Sequence, residues 1–187
     1  MTLWTLDIGS GGNSEYSSHY GFEASGVNPD RIGIDLRRPI IKGGEFVQAN
    51  VETLPFRENS ISSISMFDVI EHLDSPSMAL REIMRVMCTG GNAILTTPNA
   101  IHAPKVVMAA IKGRYEPSKD HVATYGLPEL EMLLERCGFS NFKVSYFSGP
   151  YTSEESSNLP LWHRVVLRLS APFPALGERQ LKAEMSK

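Results

Sequence analysis

The sequence predicts an α/β fold, a doubly wound, mostly parallel sheet of six or seven strands with helices on both faces. Three observations carry this. Short apolar runs alternate with longer amphipathic stretches along most of the 187 residues, the pattern of strand-helix-strand units. The first run ends in a glycine turn, Asp7-Ile8-Gly9-Ser10-Gly11-Gly12-Asn13, which joins a strand to a helix and leaves room beside the backbone. An acid, Asp35, closes the second run, where strand ends face a ligand in folds of this kind.

Taken in order, Leu3 to Ile8 is expected as the first strand and Glu15 to Ser25 as the first helix. Arg31 to Leu36, Glu45 to Ala49 and Ser62 to Met66 come next as strands two to four. Ser75 to Met87 has the helical period, with Met78, Leu80, Ile83, Met84 and Met87 on or beside one core-facing side, and Gly90-Gly91 ends it. Asn92 to Thr97 is the fifth strand, Leu127 to Cys137 a helix closed by Gly138, and Asn141 to Phe147 the sixth strand. A seventh strand is hard to find beyond Phe147. Residues 100–125 carry a short helix between Pro104 and Pro117, long enough for a lid. After a polar loop, Leu161, Trp162, Val165, Val166 and Leu169 form a helical stripe stopped by Pro172 and Pro174. Packing on the domain or on a second subunit is the ordinary fate of such a stripe; with Arg164 and Arg168 nearby, a membrane surface is the alternative.

A chain of this size forms one domain with a substantial core. Its formal charge of −3 carries no electrostatic signature of nucleic-acid binding. Cys88 and Cys137 belong to no paired ligand motif, so neither a disulfide scaffold nor a zinc finger is expected. No signal-peptide core and no bilayer-length apolar run is present, and a cytoplasmic protein is expected.

The glycine turn alone admits any adenosine-type cofactor, because helix N-terminal amides accept a pyrophosphate or a carboxylate equally well. Ser14 stands where a dinucleotide site needs a third glycine, which counts against NAD. Further motifs stand in order along the chain: Gln48-Ala49-Asn50-Val51-Glu52-Thr53-Leu54-Pro55-Phe56, Asp68-Val69-Ile70-Glu71-His72-Leu73, Ala79 to Gly91, and Thr96-Thr97-Pro98-Asn99. Together with the turn, over roughly Leu3 to Phe147, they resemble the class I S-adenosylmethionine-dependent methyltransferases, in particular the ubiquinone-type and sugar O-methyltransferases.

The resemblance implies a Rossmann-like sheet, S-adenosyl-L-methionine as cofactor and S-adenosyl-L-homocysteine as product. It implies that Asp7, Gly9 and Gly11 face the methionine part, that Asp35 with Leu36 meets the ribose, and that Asn50 and Val51 read adenine. It places Met66, Phe67 and Asp68 beside the sulfonium. Asn50 departs from the usual aspartate, keeping an acceptor oxygen without the charge. Residues 1–148 are expected to form the cofactor-binding domain, with 100–126 a lid inserted in it and 149–187 a loop and helical tail. Little precedes Asp7, so the acceptor pocket is expected from the lid, the tail or another subunit, with a homodimer through the tail as one arrangement.

A sulfonium methyl is already activated, so the protein need only align the acceptor, exclude water and, for a hydroxyl, take its proton. His72 and His121 are the candidate bases, with His102 and Tyr125 behind them; a packed, hydrogen-bonded histidine fixing the turn is the plainer role for His72. Asn99 is a substrate contact or a turn residue. Glu71 beside His72 would be a metal pair, as in some relatives, but no third ligand is evident and no metal is expected. The acceptor is expected to be a hydroxyl of a small molecule or glycan. The alternative is a cofactor-binding scaffold subunit without turnover.

Overall fold

The computed structural model describes residues 4–9, 31–36, 45–115, 118–148 and 159–187. Their seven strands are β1 (Trp4–Ile8), β2 (Arg31–Asp35), β3 (Glu45–Gln48), β4 (Ile61–Phe67), β5 (Met87–Pro98), β6 (Asn141–Phe147) and β7 (Gln180–Ser186). The helices are α1 (Pro76–Val86), α2 (Ala103–Lys112), α3 (Leu127–Arg136), α4 (Leu161–Ser170) and α5 (Pro174–Gly177). Single 3-10 turns lie at Val51–Thr53 and Ile70–His72. The expected first helix, Glu15 to Ser25, and Gly11 lie outside the described residues.

All seven strands form one sheet in the order β3-β2-β1-β4-β5-β7-β6. Every pair is parallel except those of β7, which runs antiparallel to both β5 and β6. The doubly wound α/β expectation holds, with seven strands. β1 and β4 are adjacent although two strands separate them in the chain, so connections leave β1 to opposite sides and a crevice opens at the strand ends. Leu6, Ile8, Ile34, Ile64, Met66 and Leu95 are buried in the sheet. Helix α1 covers it with Ala79, Leu80, Ile83 and Val86, and α3 with Leu130 and Leu134.

Three expectations change. The seventh strand exists at the end of the chain, where Leu181, Ala183 and Met185 are buried and alternate with Lys182, Glu184 and Ser186, the two-residue period of a strand. Its residue types favour a helix in isolation, and pairing on both edges overrides that preference. The helix after β4 ends at Val86, and Gly90-Gly91 fall inside β5, where Gly90 takes φ +78°. Met78, expected in the core stripe, is exposed on α1, while Ala79 takes the inward position.

Candidate functional site

The ends of β1 and β4 are tied together at the crevice. Asp7 is buried and faces Ser65 in register, and the Ser65 hydroxyl donates to Asp7 Oδ1 at 2.7 Å. The next turn is drawn towards β2 by Gly9 N donating to the Ile34 carbonyl at 2.9 Å. Gly9 has φ +79°, and a Cβ there would collide with Val69 Cγ2. Only glycine satisfies both the dihedral and the space. At the end of β4, Asp68 has φ +51°, and its carboxylate accepts from Gln180 Nε2 at 2.9 Å and from Thr96 Oγ1 at 3.3 Å.

A cleft of about 530 Å³ opens beside this junction. Asp7, Ile8 and Gly9 line it from β1 and its turn; Phe67, Asp68, Glu71 and His72 from the end of β4 and the 3-10 turn after it; Lys105, Ser118 and His121 from residues 100–125; and Arg179 and Gln180 from the last segment. Pro98 completes the wall. Of the residues expected to hold cofactor, Asp7, Gly9, Phe67 and Asp68 therefore line one cavity. The Met66 side chain is in the core, 1% exposed, because its register in a central strand points it away from the cleft.

Asp35, Leu36, Asn50 and Val51 sit at the same edge of the sheet, at the ends of β2 and β3. Asp35 accepts from Ala49 N at 3.0 Å through its carbonyl, and the Leu36 carbonyl accepts from Gln48 Nε2 at 2.9 Å. Asn50 caps the 3-10 turn, its Oδ1 accepting from Glu52 N at 2.9 Å. An amide oxygen has a second lone pair, so the cap leaves it able to accept again. Helix α1 fixes this turn. Glu82 Oε2 accepts from Leu54 N at 2.8 Å, and Arg85 spans the Leu54 and Phe56 carbonyls while pairing with Glu82. Their hydrogen bond holds the Glu82 carboxyl below its ordinary range.

His72 and His121 meet edge to face, ring centroids 4.8 Å apart. His72 Nδ1 lies 2.8 Å from the Asp120 carbonyl. A carbonyl can only accept, so Nδ1 carries the proton and Nε2 of the neutral ring is the basic nitrogen. Burial lowers His121, with His72 and then Lys105 adding to the effect. Tyr125 is buried and its phenol is pushed up to about 12, by burial and then Glu71, which removes it as a base near neutral pH. His102 is buried and outside the cleft lining, and burial with nearby Lys105 pushes it down to about 4.

Glu71 carries no local signal of its environment in the sequence. It is 1% exposed; Thr97 Oγ1 donates to its Oε2 at 2.9 Å, while Oε1 has no hydrogen-bond partner. Burial, with the Asp68 carboxylate beside it, pushes Glu71 up to about 8, so it is mostly protonated at neutral pH. Glu71, His72 and His121 offer ligand atoms within 4.8 Å of one another. The third ligand missing from the sequence thus comes from the segment after α2, and a carboxylate with two imidazoles suits a divalent cation such as zinc.

Lys105, Arg179 and Gln180 likewise have no local mark in the sequence and reach the cleft only through the tertiary fold. Lys105 Nζ donates to the Asn99 carbonyl at 3.2 Å, and burial followed by nearby Arg179 lowers its pKa. Asn99 is fully buried. Its Nδ2 donates to the Ala175 and Glu178 carbonyls, both at 2.9 Å, and its Oδ1 accepts from Ile101 N at 3.1 Å. The turn role is the one observed, extended into a staple that brings the end of the chain to the cleft.

Residues 6–95 match the family model of a methyltransferase domain. An uncharacterized methyltransferase of Mycobacterium sp. strain KMS is 32% identical over 94 residues, 49% of this chain and 37% of that protein. A ubiquinone/menaquinone biosynthesis C-methyltransferase of Hahella chejuensis is 41% identical over 51 residues, 27% of this chain and 20% of that protein. The match thus spans little more than a third of the mycobacterial relative. A crystal structure of a SAM-dependent methyltransferase from Archaeoglobus fulgidus shares the fold, with TM-score 0.67 and 16% identity over 99% of this chain and 86% of that one.

Proposed function

We propose that this chain, which carries a class I methyltransferase domain, transfers a methyl group from S-adenosylmethionine to a hydroxyl of a small molecule or glycan, as in the ubiquinone-type and sugar O-methyltransferases. The observation that carries the reading is the single cleft lined by Asp7 and Gly9 on one side and by His72 and His121 on the other. At Gly9 a Cβ would strike Val69, so the turn stays bare of side chain and its backbone lines the cleft where the cofactor's methionine end would lie.

In this reading Asp7, Gly9 and Gly11 hold the methionine part, Asp35 with Leu36 takes the ribose hydroxyls, and Asn50 and Val51 hold adenine. The backbone of Met66 with Phe67 and Asp68 forms the wall beside the reacting centre. The bound cofactor supplies a methyl on a positively charged sulfur, ready for in-line transfer. His72 receives the acceptor proton at Nε2, because its Nδ1 proton is committed to the Asp120 carbonyl. His121 stands edge-on to that ring and orients it. Lys105 and Arg179 give the acceptor side cationic groups that suit an acceptor with a carboxylate or phosphate nearby.

The test is thermal shift with S-adenosylhomocysteine and with NAD, followed by transfer of labelled methyl to a panel of hydroxyl acceptors. Stabilisation by the first alone, reduced in Asp35→Ala, and label on oxygen are expected. No shift at saturating cofactor removes the proposal, binding without transfer to any acceptor leaves a scaffold subunit, and label on carbon moves the chemistry to C-methylation.

A second reading rests on the unpartnered Glu71 Oε1: a divalent cation held by Glu71, His72 and His121 to acidify an acceptor hydroxyl. Calorimetric titration with zinc tests it, with binding lost in His121→Ala expected and no binding to the unsubstituted chain decisive against it.

A further inference from the structure

Helix α4 turns an apolar row outward. Residues four apart share one line along a helix, and Leu161, Val165 and Leu169 form such a line while being 76%, 47% and 71% exposed. Arg164 and Arg168 form a neighbouring line, also exposed. The other side of α4 is in use, since the helix packs against α2 and α5. Among the described residues, the stripe therefore covers no part of its own domain. At the far end of α2, Ile111 is 72% exposed beside Lys112.

Charge separates the possible occupants. Segments 103–115 and 161–177 hold five of the chain's 18 Lys and Arg and none of its 21 Asp and Glu, although the whole chain is net negative. A second copy joined by a two-fold axis would set these cations against themselves, with no acid on either helix to pair with them. A lipid bilayer with anionic headgroups answers both features: acyl chains take the apolar line, and the arginines reach the phosphates along their own stems. Trp162, partly exposed on the same helix, suits the headgroup boundary. Among the described residues no helix is long and apolar enough to cross a membrane, so the contact is peripheral.

We propose that α4, with the end of α2, is a docking surface for an anionic lipid bilayer. α2 begins at the cleft with Lys105 and ends at this surface about 15 Å away. An acceptor resident in the lipid would then need to travel little more than one helix length. That consequence rests on methyl transfer at the cleft, whereas the membrane contact does not.

The experiment is co-sedimentation of the intact chain with vesicles of phosphatidylcholine alone and with about 30% phosphatidylglycerol added, at low and high salt. Retention on the anionic vesicles, weakened at least about tenfold by high salt, is expected. Arg164→Glu with Arg168→Glu, and separately Leu161→Asp with Leu169→Asp, should each reduce retention at least about tenfold. The substitutions are at exposed positions, and an unchanged melting curve and S-adenosylhomocysteine shift show that the variants are folded. Absent retention at low salt, or variants that bind as well as the parent, would overturn the proposal. So would light scattering that shows a dimer dissociated by the same substitutions with no vesicle binding. Vesicle binding in a chain that shows no cofactor shift keeps the docking surface and removes the methyltransferase reading instead.

Discussion

The proposed cofactor side of the site and its proposed acceptor side are built by different means. Asp7, Gly9, Asp35 and Asn50 stand at or just beyond the ends of β1, β2 and β3, so each is positioned by the strand it terminates. His72, Lys105, His121, Arg179 and Gln180 come from four separate stretches. Hydrogen bonds between distant segments assemble them: Asn99 to Ala175 and Glu178, Gln180 to Asp68, and the Glu71 carbonyl to the amides of Val122 and Ala123. Parallel strands align their own ends once the sheet forms. The proposed acceptor side exists only when the tail and residues 100–115 and 118–125 have docked. Damage to the first side should therefore be local and absolute, and damage to the second graded and conformational.

The sharpest break on the cofactor side is Gly9→Val. Strain at positive φ and the collision with Val69 together should cost about 4 kcal/mol of stability, and the S-adenosylhomocysteine thermal shift should vanish. A variant with normal melting and normal cofactor binding would show that the turn holds no ligand. On the other side, His72→Ala should lower kcat about 10²-fold while cofactor affinity by calorimetry stays within twofold. Equal losses in both would make His72 a packing residue, its plainer role. Asp35→Ala should weaken cofactor binding about tenfold to a hundredfold through lost charge-assisted hydrogen bonds, with kcat at saturation little changed.

Asn99→Ala tests the long-range assembly. It leaves the Ala175 and Glu178 carbonyls without this donor, so denaturant unfolding should show a loss of about 1–3 kcal/mol, and acceptor KM should rise more than cofactor Kd. A uniform fall in both affinities would erase the distinction between the two sides.

The smallest effect is one of pH. Glu71 is raised from 4.5 to about 8 in the fold, so between these values the folded chain holds a proton that the unfolded chain has released. Its contribution to stability is full below about pH 4.5 and is lost as pH rises through about 8, with a slope of at most about 1.4 kcal/mol per pH unit. Melting curves from pH 5 to 8 should fall less steeply for Glu71→Gln than for the parent; parallel curves would mean that Glu71 stays ionised.

Legibility divides along the same line. The strand order of motifs, the glycine turn and Asp35 could be read because each rests on local backbone geometry. The Glu82–Arg85 pair ties the motif on α1 to residues Val51 to Phe56, since those side chains hold that turn. The seventh strand was hidden although Leu181, Ala183 and Met185 alternate correctly with polar residues, because Gln, Leu, Lys, Ala, Glu and Met all favour helix in isolation. The tail stripe was expected to pack on the domain or on a second subunit, and α4 leaves Leu161, Val165 and Leu169 facing outward.

By itself the sequence determined the α/β alternation, the place of the proposed cofactor-side residues at strand ends and the pairing of Glu71 with His72 on one turn. Periodicity and strand-end geometry act over a few residues and are written in the order of the chain. The tertiary structure alone decided that His121 joins that pair, that Glu71 is buried with an unpartnered oxygen, that β7 closes the sheet and that α4 presents its apolar row outward. Each of these depends on burial, and burial is set by which distant segments pack together.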